Sequence, residues 1–440
     1  MRTHPLNRHG AVGESPGRAG AFAFAGSRAR AFAGVLAVLL AGGVAAAPAS
    51  PSPACAEALL RELGWRIDFV DIAGPDIQGG APCARGSLAQ AQALGDLRAR
   101  LPLAARQDPA SWQRLLDDPA TLCAYAFRLG DAARRAASRL EDNPGYRFTA
   151  LQAGWISFGA GGARAQGWVP FRSLGRGYQP SQGNSRAIDA FYQGRVRSEC
   201  GVGRQVAQLA TQRELYGDAG FDAAFSPGEL SIGTFHTLHA TDSILLGRHA
   251  GDFLADGKAV ASAALGRQAF MGVPGFLEHA LPLRFVDDIS NRAENFVVVD
   301  VSADAAQALA AKGGLAAYDA TNRRLWQLAR QMEGAGRPRF EPLLVDRDPA
   351  RLARLDPARQ AVLAQMAQLL DDPFYRGFMV YVHPMGVRPI GYHVVRLLDR
   401  NPRTPFTIDL GLHNLHATLY RRWIDYRLQQ CGGDTSATIR

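Results

Sequence analysis

The feature that most constrains the fold of this chain is the distribution of helix-like and strand-like patterns along it. Residues 54–145 and 303–370 are rich in Ala, Leu, Arg and Gln, and their apolar residues recur at the three-to-four spacing of an amphipathic helix. Strand-like apolar runs cluster in the latter two-thirds of the chain, at Leu230–Phe235, Phe296–Val301, Phe378–Val382 and Tyr392–Leu398. Because helical segments outnumber the strands and lie largely apart from them, the sequence predicts an α+β protein.

The amino-terminal segment has the pattern of a secretory signal peptide. Arg28 and Arg30 precede the apolar run Ala31–Val44, and Ala45–Ala47 then supply an A-x-A cleavage site. A membrane-spanning helix needs about 20 apolar residues, which this run does not reach. We therefore expect export to the periplasm or the extracellular space, with cleavage after Ala47 and no membrane span in the mature chain.

Composition and charge exclude several classes of protein. With 47% hydrophobic and 20% charged residues, the chain is not disordered, collagen-like or coiled-coil. Residues 1–47 hold five arginines and one glutamate, so they account for +4 of the formal charge of +9. The rest of the chain has no basic stripe with interleaved aromatic residues, so we expect no nucleic-acid partner.

The cysteine count fits an exported protein with one free thiol. Five cysteines leave at least one unpaired, and the other four can form two disulfides in an oxidising compartment. The sequence does not determine which of them pair. They are Cys55, Cys83, Cys123, Cys200 and Cys431.

Cys200 has the setting of a reactive cysteine. The run Ser198-Glu199-Cys200-Gly201 directly precedes a predicted helix over 201–216. A cysteine at a helix amino terminus faces unpaired N–H groups and the positive end of the helix dipole, which favour the nucleophilic thiolate. The same N–H groups are suited to stabilise an oxyanion in acyl transfer. The alternative is a buried structural cysteine or a disulfide partner.

Residues 166–300 resemble the protein-glutamine gamma-glutamyltransferases (transglutaminases) of bacterial spore coats, and 378–400 extend the resemblance. The run from Ser185 through Gly194 to Glu199-Cys200 is similar to the family's S-x-A-I…G…F-E-C pattern. Gly217–Phe225 resembles its G-x-x-x-F-N-x-x-F turn, and 291–299 resembles its W-x-G-E-N-V-I strand entry. This chain departs from the family in having Asn291 and Ala293 in place of that motif's tryptophan and glycine, and in an added piece around 236–268.

The resemblance implies a cysteine-protease-like fold of the papain or NlpC/P60 kind and an acyltransferase without a cofactor. It assigns Cys200 as the nucleophile, Glu294 as its catalytic partner and Glu199 as an assisting acid. The substrates would be proteins or peptides bearing glutamine and lysine. To accept a thiol proton, Glu294 needs a raised pKa, and its place before an apolar run favours one.

Two histidines leave a hydrolytic alternative open. His383 follows an apolar run that is loosely similar to the family's Y-F-A-H-G-L-G-I strand. His393, with Asp399 or Asp409, would complete a papain-like Cys–His–Asp set. Either histidine would make the protein a periplasmic or secreted peptidase or amidase. A third hypothesis is a non-enzymatic envelope interaction protein in which Cys200 forms a disulfide.

A metal site is not expected. His236 and His239 form an H-x-x-H pair, with His249 further on, but no additional ligand stands at the spacing that zinc sites use.

The predicted organisation has five parts. They are a signal peptide (1–47), a helical amino-terminal region (48–145), a catalytic core (146–302), a helical insertion (303–370) and carboxy-terminal strands and a helix that complete the core (371–440).

Overall fold

Within the residues that the computed structural model describes, twelve strands form four sheets. The described ranges are 52–78, 97–149, 166–172, 176–226, 229–233, 267–279, 293–334, 336–400, 404–410 and 415–434. The strands are β1 (Arg66–Val70), β2 (Asp76–Gln78), β3 (Arg98–Pro102), β4 (Tyr146–Phe148), β5 (Trp168–Arg172), β6 (Arg176–Pro180), β7 (Val196–Ser198), β8 (Pro274–His279), β9 (Ala293–Val301), β10 (Phe378–Val382), β11 (Gly386–Pro389) and β12 (Phe406–Leu410).

Thirteen α-helices accompany these strands in the same ranges. They are α1 (Pro53–Glu62), α2 (Pro109–Leu116), α3 (Pro119–Glu141), α4 (Asn184–Gln193), α5 (Cys200–Tyr216), α6 (Asp218–Ala224), α7 (Ala303–Ala311), α8 (Ala317–Gln331), α9 (Pro349–Leu352), α10 (Pro357–Leu370), α11 (Pro373–Gly377), α12 (Ile390–Arg400) and α13 (Leu415–Asp434). The α+β class predicted from the sequence is confirmed.

A five-stranded antiparallel sheet with the order β11-β10-β9-β8-β12 occupies the centre of the protein. Its middle strand, β9, has the buried run Phe296-Val297-Val298-Val299. A continuous apolar run is typical of a strand that is covered on both faces. Helices α7 to α11 lie between β9 and β10 in the chain, although the two strands are neighbours in the sheet.

Helices cover both faces of this sheet. Helix α5 packs on α3 and on β9, whereas α12 contacts β8, β9, β10 and β11. On β9, the side chain of Asn295 reaches α5, and that of its neighbour Glu294 reaches α12. Because successive side chains of a strand point to opposite faces, α5 and α12 lie on opposite sides of the sheet.

The amino-terminal region is not wholly helical, contrary to the sequence prediction for 48–145. Strands β1, β3 and β2 form a three-stranded sheet there. Arg66-Ile67-Asp68 and Arg98-Ala99-Arg100 alternate exposed and buried residues, which is the period of a half-buried strand. The abundance of Ala, Leu and Arg around them concealed this short alternation. Residues 79–96 of this region lie outside the described ranges.

The apolar run Tyr392–Leu398 belongs to helix α12, so the prediction of a strand-like run there is wrong. Its buried residues include His393, Val394, Leu397 and Leu398, at helical spacing. The predicted strand at Leu230–Phe235 is reduced to a single bridge at Ile232, and 234–235 lie outside the described residues.

Two disulfides and one free thiol account for the described cysteines. Cys55 of α1 is bonded to Cys431 of α13. Cys123 is also disulfide-bonded, with its partner outside the described residues. Cys200 is free, as predicted. The disulfides are compatible with an exported protein. Within the described ranges, no helix has the length and hydrophobicity needed to cross a membrane.

Candidate active site

Cys200 is the first residue of α5, and its sulfur lies against the beginning of β9. Sγ is 3.5 Å from the side-chain Nδ2 of Asn295 and 3.9 Å from the carbonyl oxygen of Ala293. The backbone N–H of Asn295 also donates to the sulfur. Strand β10 ends at Val382, and its pairing with β9 stops at Val297. On the edge that faces β10, the backbone groups of β9 before Val297 are therefore free to contact the thiol, while the other edge stays paired with β8.

Glu199 caps the helix that Cys200 begins. Its carboxylate accepts hydrogen bonds from the backbone N–H groups of Gly201, at 2.6 Å, and Val202, at 2.8 Å. An N-terminal cap of this kind satisfies the otherwise unpaired donors of the first turn. These donors were expected to hold an oxyanion. That expectation is wrong, because a side chain of the protein already occupies them.

The Glu199 carboxyl is buried and lies within hydrogen-bonding reach of the Cys200 thiol. Burial raises the pKa of Glu199 above its usual value, against the opposing effect of the two backbone hydrogen bonds. A carboxyl with a raised pKa beside a thiol is the property that was predicted for Glu294.

The thiol itself does not have the lowered pKa that a helix amino terminus predicts. Burial, together with the negative charge of Glu199, raises the pKa of Cys200 to about 12, although the hydrogen bonds from Asn295 oppose the shift. The helix dipole is offset because the capping carboxylate lies at the same end. In this structure Cys200 is a protonated thiol at neutral pH.

Glu294 is buried on the other side of β9. Its Oε2 is 2.7 Å from Nδ1 of His393, and its Oε1 is 2.9 Å from a guanidinium nitrogen of Arg400, with Arg396 at 3.6 Å. Burial alone would raise the pKa of Glu294, but the His393 hydrogen bond and the two arginines lower it. The predicted raised pKa is therefore wrong in direction. The carboxylate contacts α12 and not Cys200.

His393 lies on α12, fully buried, with its Nδ1 bound to Glu294. The proposed companions of His393 lie elsewhere. Asp399 accepts hydrogen bonds from the backbone N–H groups of Phe340 and Glu341, and Asp409 accepts one from Thr407. The Cys–His–Asp set that the sequence suggested is therefore not assembled around the sulfur.

His383 follows β10 directly and is also buried. Its ring stacks on Tyr146 at 3.5 Å between centroids, and its Nδ1 is 3.4 Å from the hydroxyl of Tyr381. Burial lowers the pKa of His383 to about 4. A Cβ built on Gly203 would lie 2.7 Å from His383 Cβ, so the histidine packs on α5 one turn after Cys200.

The structure thus assembles Cys200, Glu199 and Asn295, and it directs Glu294 and His393 to the opposite face. Sequence reasoning missed Asn295, although it stands in the same motif as Glu294. The strand period of two was the available signal, since adjacent residues of β9 cannot both face Cys200.

The described residues contain no group of three or more His, Cys, Asp or Glu side chains placed to hold a metal ion. His236, His239, His249 and Asn291 lie outside those residues. Comparisons of the chain with protein-family models, with curated proteins and with solved structures give no match.

Proposed function

We propose that the protein is an exported cysteine acyltransferase of the transglutaminase kind, with a papain-like catalytic core. The observation that carries the proposal is the surroundings of the one free cysteine among the described residues. The thiol of Cys200 has a buried carboxyl of raised pKa on one side and two N–H donors of Asn295 on the other.

In this mechanism Glu199 accepts the thiol proton. A catalytic base works best when its pKa lies near the pH at which the enzyme operates. Burial raises the pKa of Glu199 and so moves it towards neutral pH. The sulfur then attacks the amide carbon of a glutamine side chain. As the C–N bond breaks, the proton held by Glu199 passes to the leaving nitrogen, and ammonia departs. A thioester on Cys200 remains.

Asn295 replaces the helix amino terminus as the source of oxyanion stabilisation. Its side-chain amide lies 3.5 Å from the sulfur, so a carbonyl carbon bonded to that sulfur would bring its oxygen near the same donor. A lysine amine then attacks the thioester and gives an isopeptide bond, while water in its place gives deamidation. No cofactor takes part in either route.

Glu294 has a positioning role in this proposal. It anchors the beginning of β9 to α12 through His393 and Arg400, and that part of β9 carries Asn295. The Cys–His hydrolase remains the second hypothesis, but its histidines have other partners. His393 binds Glu294, and His383 stacks on Tyr146.

The test is incorporation of a fluorescent primary amine into a glutamine-rich acceptor protein by the purified full chain. We expect Cys200→Ala to abolish incorporation and Glu199→Gln to reduce it by about 10²–10⁴-fold, as for loss of an acid–base group. Asn295→Ala should reduce it by about 10²–10³-fold, as for loss of an oxyanion donor. Glu333→Gln, in an exposed ion pair with Arg330, is the matched control.

Ammonia release without amine incorporation would assign the protein as an amidase that uses the same thiol. Incorporation that persists in Cys200→Ala would refute the proposal.

A further inference from the structure

A basic cleft lies immediately before Cys200 in the chain. It has a volume of about 600 Å³ and is lined by Pro144, Gly145, Arg147, Arg195, Val196 and Arg197. Among the described residues, this lining contains three arginines and no acidic side chain. The cleft is formed where β4 and β7 pair in parallel.

The three arginines lie close together and have no acidic partner among the described residues. Arg147 and Arg197 are exposed and lie directly opposite each other in the β4–β7 ladder, and Arg195 precedes β7 by one residue. In the part of the chain that the structure describes, none of the three forms an ion pair. Like charges opposite each other destabilise a sheet, so an anion that binds between them would relieve the repulsion.

A second pair of facing arginines in the protein has acidic neighbours, which the cleft arginines lack. Arg66 and Arg98 face each other across β1 and β3 in the same way. In that sheet, however, Asp68 and Asp76 both lie opposite Arg100, so acidic side chains accompany the arginines. The cleft arginines have no such neighbours on β4 or β7.

The cleft is joined to the thiol by a short, fixed piece of backbone. Arg197 is three residues before Cys200, so their Cα atoms are at most about 11 Å apart. The buried hydroxyl groups of Ser198 and Tyr146 lie 2.6 Å apart and hold β7 against β4.

We propose that this cleft binds the carboxylate side chains of an acidic peptide segment that carries the reactive glutamine. This inference rests on the proposed acyl transfer at Cys200 and specifies its donor substrate. Guanidinium groups bind carboxylates through paired, charge-assisted hydrogen bonds. An extended peptide advances about 3.3 Å per residue, so the acidic residues lie about three residues from the glutamine.

The test measures binding directly. The probe is a fluorescent peptide of about twelve residues with one glutamine and glutamates three to five residues away from it. Its matched control has serines in place of the glutamates. Anisotropy titrations use the full chain with Cys200→Ala. We expect the acidic peptide to bind about tenfold more tightly than its control at low salt, and the difference to shrink as salt is added.

The variant Arg147→Ser/Arg195→Ser/Arg197→Ser should weaken binding of the acidic peptide by about tenfold, because three charge-assisted contacts are lost together. Arg66→Ser/Arg98→Ser is the control, since it removes an equivalent arginine pair from another sheet. Equal binding of the two peptides, or an equal loss in the two arginine variants, overturns the inference.

The experiments distinguish failure of this inference from failure of the proposed function. Selective binding without amine incorporation would support an acidic-peptide site and refute acyl transfer. Amine incorporation with the same KM for the acidic and serine peptides would leave acyl transfer standing and refute the role of the cleft.

Discussion

At the scale of single residues, the arrangement around Cys200 reverses the roles that the motif suggested for two glutamates. Glu199 lies beside the thiol and has a raised pKa. Glu294 is paired with His393 and Arg400, and its pKa is lowered. Both carboxyl groups are buried, so burial does not explain why their pKa values shift in opposite directions. The difference comes from their partners, which are backbone N–H groups for Glu199 and a histidine with two arginines for Glu294.

The raised pKa of Cys200 predicts slow alkylation. A thiol with a pKa of about 12 has roughly 10³-fold less thiolate at pH 7 than an ordinary cysteine. We expect the rate of iodoacetamide labelling to rise about tenfold per pH unit from pH 7 to pH 10. Glu199→Gln removes a negative charge beside the sulfur, so it should raise the thiolate fraction and speed alkylation, whereas Glu333→Gln should not. Acyl transfer should still fall in Glu199→Gln, because that reaction also needs the carboxyl to protonate the leaving nitrogen.

Mass spectrometry of Cys200-containing peptides measures this rate without reductant. Labelling of the wild-type chain at the rate of free cysteine at pH 7 would contradict the protonated thiol described above.

Glu294 should contribute to stability with a defined pH dependence. Breaking a buried ion pair costs about 3–5 kcal/mol, and Glu294→Gln should lie at the lower end because glutamine keeps one acceptor. Since the folded pKa of Glu294 is lowered, its contribution is present above the unfolded pKa of about 4.3 and is lost as the pH falls towards the folded value.

Urea unfolding at pH 7 and at pH 3.5 tests this expectation. The stability difference between the wild type and Glu294→Gln should be large at pH 7 and smaller at pH 3.5. A difference that grows on acidification would show that the pKa of Glu294 is shifted in the other direction.

At the scale of elements, the first turn of α5 differs from other helix starts in the protein. Five described helices begin after an aspartate that is followed by proline, and each aspartate accepts from backbone N–H groups; they start after Asp108, Asp118, Asp348, Asp356 and Asp372. Helix α5 instead begins with a glutamate cap and Cys200. The longer side chain brings its carboxyl beside the thiol while still capping the helix.

The packing of α5 against the end of β10 depends on a neutral His383. Its folded pKa of about 4 lies below the ordinary value of 6.5, because burial disfavours the charged ring. The unfolded chain therefore binds the proton first, and stability should fall by up to about 3 kcal/mol as the pH drops from 6.5 to 4.

His383→Gln removes this titration and keeps a polar side chain of similar size. We expect its free energy of unfolding to vary less with pH between 6.5 and 4 than that of the wild type. Equal slopes for the two proteins in urea titrations would refute the assignment.

At the scale of the whole molecule, the two ends of the described chain are tied together. Cys55 and Cys431 are 376 residues apart in sequence, so their bond closes nearly the entire chain. Arg427 of α13 also forms an ion pair with Glu62 of α1, so the contact between these two helices includes a disulfide and an ion pair. The central sheet and its two helical layers lie between these ends in sequence.

Loss of this disulfide should destabilise the protein by about 2–5 kcal/mol, since a cross-link over a long loop restricts the unfolded chain most. The test is thermal unfolding of Cys55→Ser/Cys431→Ser beside the wild type, with Cys200→Ala as the control that leaves both bonds intact. An unchanged Tm in the double variant would show that the contact between α1 and α13 is sufficient without the bond.

The sequence alone determined the parts of this protein that depend on local pattern. The helix after Cys200, the buried strand at Phe296–Val301 and the α+β class follow from periodicity and were predicted correctly. The free state of Cys200 followed from an odd cysteine count and its place at a helix start. Export and acyl transfer stay predictions from the amino-terminal pattern and the resemblance.

Only the tertiary structure decided which side chains meet. Glu294 and Asn295 are adjacent in sequence, but a strand separates them to opposite faces, so the sulfur meets the amide and α12 meets the carboxylate. Likewise, the pKa values of Cys200 and Glu294 depend on burial and on partners about 100 residues away, such as Asn295 for the thiol and His393 for the carboxylate. Such contacts are long-range in sequence, and no local pattern encodes them.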